Sequence, residues 1–304
     1  MVDITHKITT LRIATAKAIV KVGSPETIQA VLDKKVPKGD VLEVARTAGL
    51  FAVKNTASVI PDCHPMPIEY TGIHFKCLKN EIQIEVTVKT IYKTGVEVEA
   101  MHGASIVALT MYDMLKPIDK NVEISTVKLV NKKGGKSDFG AKENYNLTVA
   151  VIVCSDSVSA GTKEDASGKV ITEKLEKLGL VVSQYDIIPD DKKEIQTSIL
   201  KLCNQKTDLV ILTGGTGLSH KDVTPEAVIP MLDRRIPGIE EAIRSYGQER
   251  TPYAMLSRSV VGFKGDILIM ALPGSVGGAS ESIDAVFPSV LHLFKLLNGL
   301  DHGK

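Results

Sequence analysis

Two sets of side chains in this 304-residue chain have the types and spacing to do chemistry, one set in each half. The denser is Thr213 to Glu226, TGGTGLSHKDVTPE. Its glycines Gly214, Gly215 and Gly217 let a backbone turn sharply and bring amide N–H groups close to an anion, and Thr216 adds a hydroxyl. No Gly-Lys-Ser/Thr follows at the spacing of a Walker loop. Asp222 stands just ahead of a Thr-Pro-Glu helix opening, where an acid can be a cap, a magnesium ligand or a base, and spacing alone favours the cap. Three more polar turns, Ser155-Asp156-Ser157, Pro189-Asp190-Asp191 and Pro273-Gly274-Ser275, each follow an apolar run. Ser257-Arg258 offers either an anion clamp or a surface ion pair.

In the first half the candidate residues are scattered, as they are when loops from several elements converge. Lys38-Gly39-Asp40 opens a helix, where the N-terminus favours anions. Cys63-His64-Pro65 puts a titratable imidazole beside a thiol, although such a pair is more often packing than catalysis and is a poor zinc site without two further ligands. Glu97 and Glu99 share a side if TGVEVE is extended. Asp113 and Lys116 are three apart on a helix and hence neighbours. A Lys beside a carboxylate suits proton transfer, because neighbouring charges tune its pKa. Lys132, Lys133 and Lys136 surround Gly134-Gly135 and read either as a triphosphate clamp or as a solvated basic loop.

Different elements must position the two sets. Before residue 131, helical spacing over 24–32, 41–56 and 104–114 mixes with β-branched alternation over 68–77 and 81–92, which predicts an α+β domain with a hairpin around Lys79 and Asn80. After residue 146, strand-length apolar runs at 147–154, 181–188, 209–213 and 266–272 alternate with helical segments at 169–178 and 193–202. That rhythm predicts a three-layer α/β domain with a mostly parallel sheet, whose ligands sit at the carboxyl ends of the strands. The four polar turns lie at those ends. Asn131 to Tyr145, rich in Lys, Gly, Asp and Asn, reads as the joint between domains 1–140 and 146–304.

Composition bounds the rest. At roughly 150 residues per domain the length suggests two domains, and 43% hydrophobic with 24% charged residues is the mixture of a packed globular protein. The 37 Lys and Arg nearly cancel the 36 Asp and Glu, leaving no net field for nucleic acid or an anionic membrane. The balance is uneven: residues 1–140 hold 19 basic against 15 acidic side chains, residues 141–304 hold 18 against 21. Four cysteines without a C-x-x-C pair favour reduced thiols, and MVDITHKITTLR has no apolar signal core, so the cytoplasm is expected. The absence of Trp argues against a stacking platform for single strands.

The second-half motifs, GGTGLSHKDVTPEA with IIPDDKKEI upstream and ALPGS downstream, resemble the molybdopterin adenylyltransferase family over about residues 146–299. The resemblance implies the molybdopterin-binding fold and transfer of AMP from ATP, the co-substrate, to the terminal phosphate of molybdopterin. It also implies Mg2+ at the functional aspartates Asp190 and Asp222. By position, Gly214, Gly215, Thr216 and Gly217 fall on its phosphate loop and Ser275 on another binding turn. His220-Lys221 stands where many members carry Arg. A binding or scaffolding module without catalysis is the alternative.

In the first half, MVDIT, VPKGDV, AGLFAVKNT, IPDCHP, KTGVEVEA, LTMYDMLK and KKGGKS resemble, in that order, the cyclic pyranopterin monophosphate synthase family. The resemblance implies a ferredoxin-like α+β fold and conversion of a cyclic dihydroguanosine triphosphate to cyclic pyranopterin monophosphate with loss of pyrophosphate. It assigns catalysis to Lys38, Asp113, Lys116 and Lys132, and substrate binding to Cys63, His64, Glu97, Val98, Glu99 and Lys136. Asp62, Val98, His102 and Asp138 depart from the usual family pattern. Together the two resemblances imply a bifunctional molybdenum cofactor enzyme acting on pterin and nucleotide substrates, without a tightly bound redox cofactor. They also imply a homo-oligomer, trimeric or hexameric, with the synthase site at a subunit interface and other enzymes of the pathway as possible partners.

Overall fold

The computed structural model describes residues 1–135, 138 and 146–297. The chain forms two compact units, Met1–Phe139 and Gly140–Lys304.

In the first unit β1 (Thr10–Lys21), β2 (Tyr70–Cys77), β3 (Glu81–Tyr92) and β4 (Glu123–Lys133) form one antiparallel sheet in the order β2-β3-β1-β4. With helices between β1 and β2 and between β3 and β4, this is the ferredoxin-like βαββαβ arrangement. Strand alternation decides which face is covered. Ala14, Ala16, Ala18 and Val20 of β1 and Ile82, Ile84, Val86 and Val88 of β3 are buried, while their sequence neighbours are not. The covering layer is built from α1 (Pro25–Leu32), α2 (Val41–Lys54), the short α3 (Thr56–Val59) and α4 (Glu97–Leu115). Asp40 caps α2 by accepting from the Glu43 N–H at 3.2 Å. The hairpin falls where the sequence places it, between Cys77 and Glu81.

In the second unit β5 (Val149–Cys154), β6 (Val182–Ile188), β7 (Leu209–Thr213), β8 (Arg234–Arg235), β9 (Val260–Lys264) and β10 (Ile267–Leu272) form a sheet in the order β6-β5-β7-β10-β9-β8. The first four strands are parallel, and β9 and β8 add an antiparallel edge. Both faces of the central strands are dry. Val149, Val151, Ile211 and Met270 pack under α6 (Ser167–Glu176), α9 (Pro237–Gln248) and α10 (Val276–Val286). Ala150, Ile152, Leu212 and Ile269 pack under α7 (Lys192–Asn204) and α8 (Thr224–Val228). Two short helices, α5 (Asp156–Ser159) and α11 (His292–Leu297), complete the unit. The result is three layers, α/β/α, which is why each central strand reads as an unbroken apolar run. The antiparallel edge is absent from the sequence reading, because β9 is short and β8 is two arginines. No helix among the described residues is long and apolar enough to cross a membrane.

Ile211 is fully buried at the centre of this sheet, so Ile211→Ala is expected to destabilise the protein by about 2–5 kcal/mol. Denaturant titration followed by circular dichroism measures this; a change below about 0.5 kcal/mol would contradict the packing described.

Candidate active sites

In the first unit one cluster forms across a loop and the end of a helix. Lys38 Nζ lies 2.7 Å from Asp113 Oδ2 and donates to the Asp113 carbonyl at 3.0 Å, while Lys116 Nζ lies 2.8 Å from Asp113 Oδ1. Each carboxylate oxygen thus has its own ammonium. Hydrogen bonds from Lys116 and then Lys38 hold the Asp113 carboxyl down at about 2, and the same contact raises Lys116. At neutral pH Asp113 is therefore an anion and Lys116 a cation, so the proton available for delivery in this cluster is on lysine.

The remaining predicted residues gather at the other end of α4. Glu97 Oε1 is 3.2 Å from Lys132 Nζ. Beside them Arg12, buried, donates to the carbonyls of Tyr92 (3.2 Å) and Lys93 (3.3 Å). A cavity of about 50 Å3 is lined by Arg12, Gly95, Glu97, Lys132, Lys133 and Gly135. The expectation that Glu97 and Glu99 share a side is overturned. TGVEVE enters the first turn of α4, where residues two apart diverge. Glu97 faces Lys132, whereas Glu99 is buried, with Oε1 accepting from the Cys63 thiol at 3.0 Å and Oε2 lacking a hydrogen-bond partner. Burial first, then the contact with Glu99, pushes the thiol up to about 12, so Cys63 is a neutral donor rather than a nucleophile. His64 Nε2 meets the Val2 carbonyl at 2.8 Å, and Val98 is exposed on α4. Lys136 lies outside the described residues. Asp113 follows Glu97 by sixteen positions on one helix, which separates the two clusters by about 24 Å. Within one chain Lys38, Asp113 and Lys116 meet one another but not Cys63, His64, Glu97, Glu99 or Lys132.

In the second unit the polar turns converge as the strand rule requires. Gly214 and Gly215 have φ of 108° and 61°, conformations in which a side chain is strained. A Cβ on Gly214 would lie 2.0 Å from the Cys154 carbonyl, and one on Gly215 would meet Thr224 Oγ1 at 2.4 Å and Asp190 Oδ1 at 2.7 Å. Asp190 exchanges hydrogen bonds with Asp156, each main-chain N–H donating to the other's carboxylate at 3.0–3.1 Å. Asp190 Oδ1 itself is buried and has no hydrogen-bond partner. Burial raises the Asp190 carboxyl, and the charges of Asp156 and Asp222 add to the effect. Asp190, Asp222, Gly214 and Gly215 line one cleft of about 230 Å3, which also reaches Lys163 and Asp165.

Asp222 is not a helix cap: Val223 holds that place in α8, and Asp222 instead accepts from the Ser219 N–H at 2.8 Å, closing its own turn. Ser275 caps α10 by accepting from the Gly278 N–H at 3.2 Å. Arg258 is spent on the loop: its main-chain N–H donates to Thr216 O (3.2 Å), its Nε to Gly217 O (2.8 Å) and one Nη to Asp222 O (2.8 Å), and it pairs with Glu226. It braces the anion loop and is not itself a free clamp. Asp156 is the residue that sequence reasoning did not single out; only its position after a strand hinted at it.

No group of three or more His, Cys, Asp or Glu among the described residues is arranged as a preformed metal cage. Mg2+ does not need one, since it is held by one or two carboxylates together with phosphates and water. The orphaned Asp190 oxygen, against the glycine turn and within the influence of the Asp156 and Asp222 charges, fits that mode of binding.

Fold and sites together define a two-enzyme chain, each unit carrying a polar cluster of its own design. Residues 1–135 match the MoaC family, and residues 150–292 match a model described as probable molybdopterin binding domain. Over 302 residues the chain is 38% identical to a molybdenum cofactor biosynthesis bifunctional protein of Chlorobaculum tepidum, covering 99% of this chain and 96% of that one. A protein of the same description from Synechococcus elongatus is 35% identical, covering 100% and 99%. The first unit alone is 51% identical over 139 residues to a cyclic pyranopterin monophosphate synthase of Clostridium perfringens, covering 45% of this chain and 87% of that one. A solved structure of the molybdopterin biosynthesis enzyme MoaB from Thermus thermophilus aligns with TM-score 0.48 at 38% identity, covering 50% of this chain and 97% of that one. The chain belongs to the family of bifunctional proteins of molybdenum cofactor biosynthesis.

The raised Asp190 carboxyl has a consequence for stability. A carboxyl lifted by folding favours the folded state fully only below its unfolded pKa of about 4, and that contribution is lost as pH rises through the folded value. At pH 7 without metal, Asp190→Asn, which keeps an oxygen for the Asp156 N–H, is therefore expected to stabilise by on the order of 1 kcal/mol. The gain should vanish near pH 4. Thermal melts at the two pH values check both parts; a loss of stability at pH 7 would refute the assignment.

Proposed function

We propose that the first unit is a cyclic pyranopterin monophosphate synthase and the second a molybdopterin adenylyltransferase. For the first, the observation that carries the reading is the division of its site between the two ends of α4. Val98, Met101, Leu109 and Tyr112 are exposed along one stripe between those ends. Packed antiparallel on the same stripe of a second copy about a two-fold axis, the helix brings Lys38, Asp113 and Lys116 of one subunit to Cys63, Glu97 and Lys132 of the other. The lysines and Arg12 then hold the triphosphate. A hydroxyl of the substrate attacks the α-phosphorus and loses its proton, and pyrophosphate leaves as the cyclic phosphate closes. Lys116, kept protonated by Asp113, supplies the proton needed when the purine-derived ring opens.

In the second unit the carrying observation is the unpartnered Asp190 oxygen beside the glycine turn. Asp190 and Asp222 would hold Mg2+, which supplies charge neutralisation on the phosphates of ATP. The turn's amides and Thr216 orient the anion, and Arg258 keeps the turn in place. The terminal phosphate oxygen of molybdopterin attacks the α-phosphorus of ATP, the new P–O–P bond forms, and the bond to pyrophosphate breaks. Such a transfer needs alignment and charge balance rather than a covalent nucleophile. Free cysteine thiols among the described residues fit a reducing compartment such as the cytoplasm.

Two outcomes are expected. Asp113→Asn and Lys132→Ala variants, each inactive in pyranopterin formation, regain activity when unfolded and refolded together in equal amounts, because roughly a quarter of all sites are then intact; no recovery would place the site within one chain. In the second unit Asp222→Ala lowers formation of adenylylated molybdopterin by roughly 100-fold or more, read by chromatography of the product. Undiminished formation removes Asp222 from its role, and no formation by the unmodified chain makes the unit a binding module.

A further inference from the structure

The cleft that holds Asp190 and Asp222 does not end at those carboxylates. A groove of about 520 Å3 adjoins it, sharing Val158, Lys163, Glu164 and Asp165 and running on past Lys169 to Tyr185 and Ile187 of β6. Four of the side chains that line the cleft itself are acidic, Glu164, Asp165, Asp190 and Asp222, and only Lys163 is basic. Arg258 adds nothing to that charge, because the carbonyls of Gly217 and Asp222 and the Glu226 carboxylate take its donors. Lys163 is held differently. Its main chain is pinned from both sides: the Thr162 and Lys163 N–H groups donate to the Ser157 carbonyl at 2.9 and 3.1 Å, and Asp165, two residues on, accepts from the Gly168 and Lys169 N–H groups at 3.0 and 3.2 Å. Its ammonium, by contrast, has no hydrogen bond or ion pair among the described residues. Lys169, which lines only the groove, is unpaired in the same way.

We propose that Lys163 binds the β- and γ-phosphates of the nucleotide, and that the groove beyond it is the path by which pyrophosphate leaves. The proposal rests on the adenylyltransferase reading above. The strand order β6-β5-β7-β10 puts Gly274, which follows β10, and the β6 edge on opposite sides of the glycine turn. Towards Gly274 and Val276 the cleft has no cation, whereas towards β6 stand Lys163 and then Lys169. A triphosphate whose α-phosphate lies at the turn therefore finds its counter-charge in one direction only. Mg2+ at Asp190 and Asp222 offsets part of that polyanion, and the ammonium of Lys163 offsets more as a point charge. Binding breaks no contact, since the ammonium has none to give up. When the phosphate oxygen of molybdopterin bonds to the α-phosphorus, the bond from that phosphorus to the oxygen shared with the β-phosphorus breaks, and its electron pair stays on pyrophosphate. Lys163 meets that charge without giving up its proton.

AMP lacks the two phosphates assigned to Lys163, so it is the ligand that separates this role from any other. With the full chain and Mg2+, affinities for ATP, AMP and pyrophosphate are measured by equilibrium dialysis in the absence of molybdopterin. Lys163→Met removes the charge and keeps the length, and because the side chain is exposed and unpaired the variant should melt at the same temperature. It should bind ATP and pyrophosphate about tenfold or more weakly, while AMP changes less than twofold. Lys163→Arg, which keeps the charge, should hold ATP within about threefold, and Lys169→Met should weaken pyrophosphate binding. Unchanged ATP affinity in Lys163→Met overturns the proposal, and so does an equal loss for ATP and AMP, which would put the lysine at the α-phosphate or the nucleoside. Unchanged pyrophosphate affinity in Lys169→Met removes the groove as the exit. Lys163-dependent ATP binding in a chain that forms no adenylylated molybdopterin leaves the assignment standing and removes only the adenylyltransferase reading; product formation with undiminished ATP affinity in Lys163→Met does the reverse.

Discussion

Gly214 sits so close to the end of β5 that any side chain on it would run into the Cys154 carbonyl, and the cleft of the second unit is organised around that approach. The approach carries the turn after β7 across the carboxyl end of β5, where Asp156 and Asp190 already interlock through their main-chain N–H groups. Thr224 then ties the turn to the start of α8, donating its hydroxyl hydrogen to the Gly214 carbonyl at 2.9 Å. Thr213 ties it to the neighbouring turn by donating to Pro273 O at 2.8 Å. A methyl group at Gly214 would push these three strand ends apart. The cleft is thus fixed by backbone contacts, and side-chain oxygens are left over for a ligand.

Those leftover oxygens are what separates the site from a stabilising network. Asp165, close by, shows the contrast: its carboxylate accepts from Ser167, the Gly168 and Lys169 N–H groups and the Tyr185 hydroxyl, and hydrogen bonds hold its pKa down despite burial. Asp190 has a single main-chain donor, two acidic neighbours and a raised pKa. Asp165 is buried and Asp190 partly so, both in the same cleft, and only Asp165 is satisfied by the protein. An unsatisfied acid lowers stability and persists where binding requires it.

Much of this was legible in the sequence, and the exceptions have physical reasons. The hairpin, the parallel strands and the convergence of four turns follow from period and position, because apolar burial on one or two faces imposes them. The start of α4 did not follow, since VEVE alternates like a strand, whereas in the fold it forms the first turn of a helix packed against α2, β1, β3 and β4. Asp156 could not be singled out, because its partner Asp190 is thirty-four residues away and the link runs through main-chain atoms. Arg258 was ambiguous for the opposite reason: a guanidinium near a phosphate loop fits either a ligand or the loop's own carbonyls, and only the coordinates show its donors taken.

On the functions proposed, both units would have to hold polyphosphate, and the charge asymmetry between the halves fits opposite means of doing so. In the first unit the excess of lysine is not a bare positive field, because Lys38 and Lys116 share Asp113 and Lys132 is matched to Glu97. These pairs are half-exposed, so each is worth little by itself, and a bound triphosphate could share the lysines with the carboxylates at small cost. In the second unit carboxylates crowd the cleft beside the glycine turn, so a phosphate bound there would need a cation beside it. On that reading the first site would take its substrate directly and the second only together with a cation, which is how the acidic balance of residues 141–304 is compatible with a phosphate site.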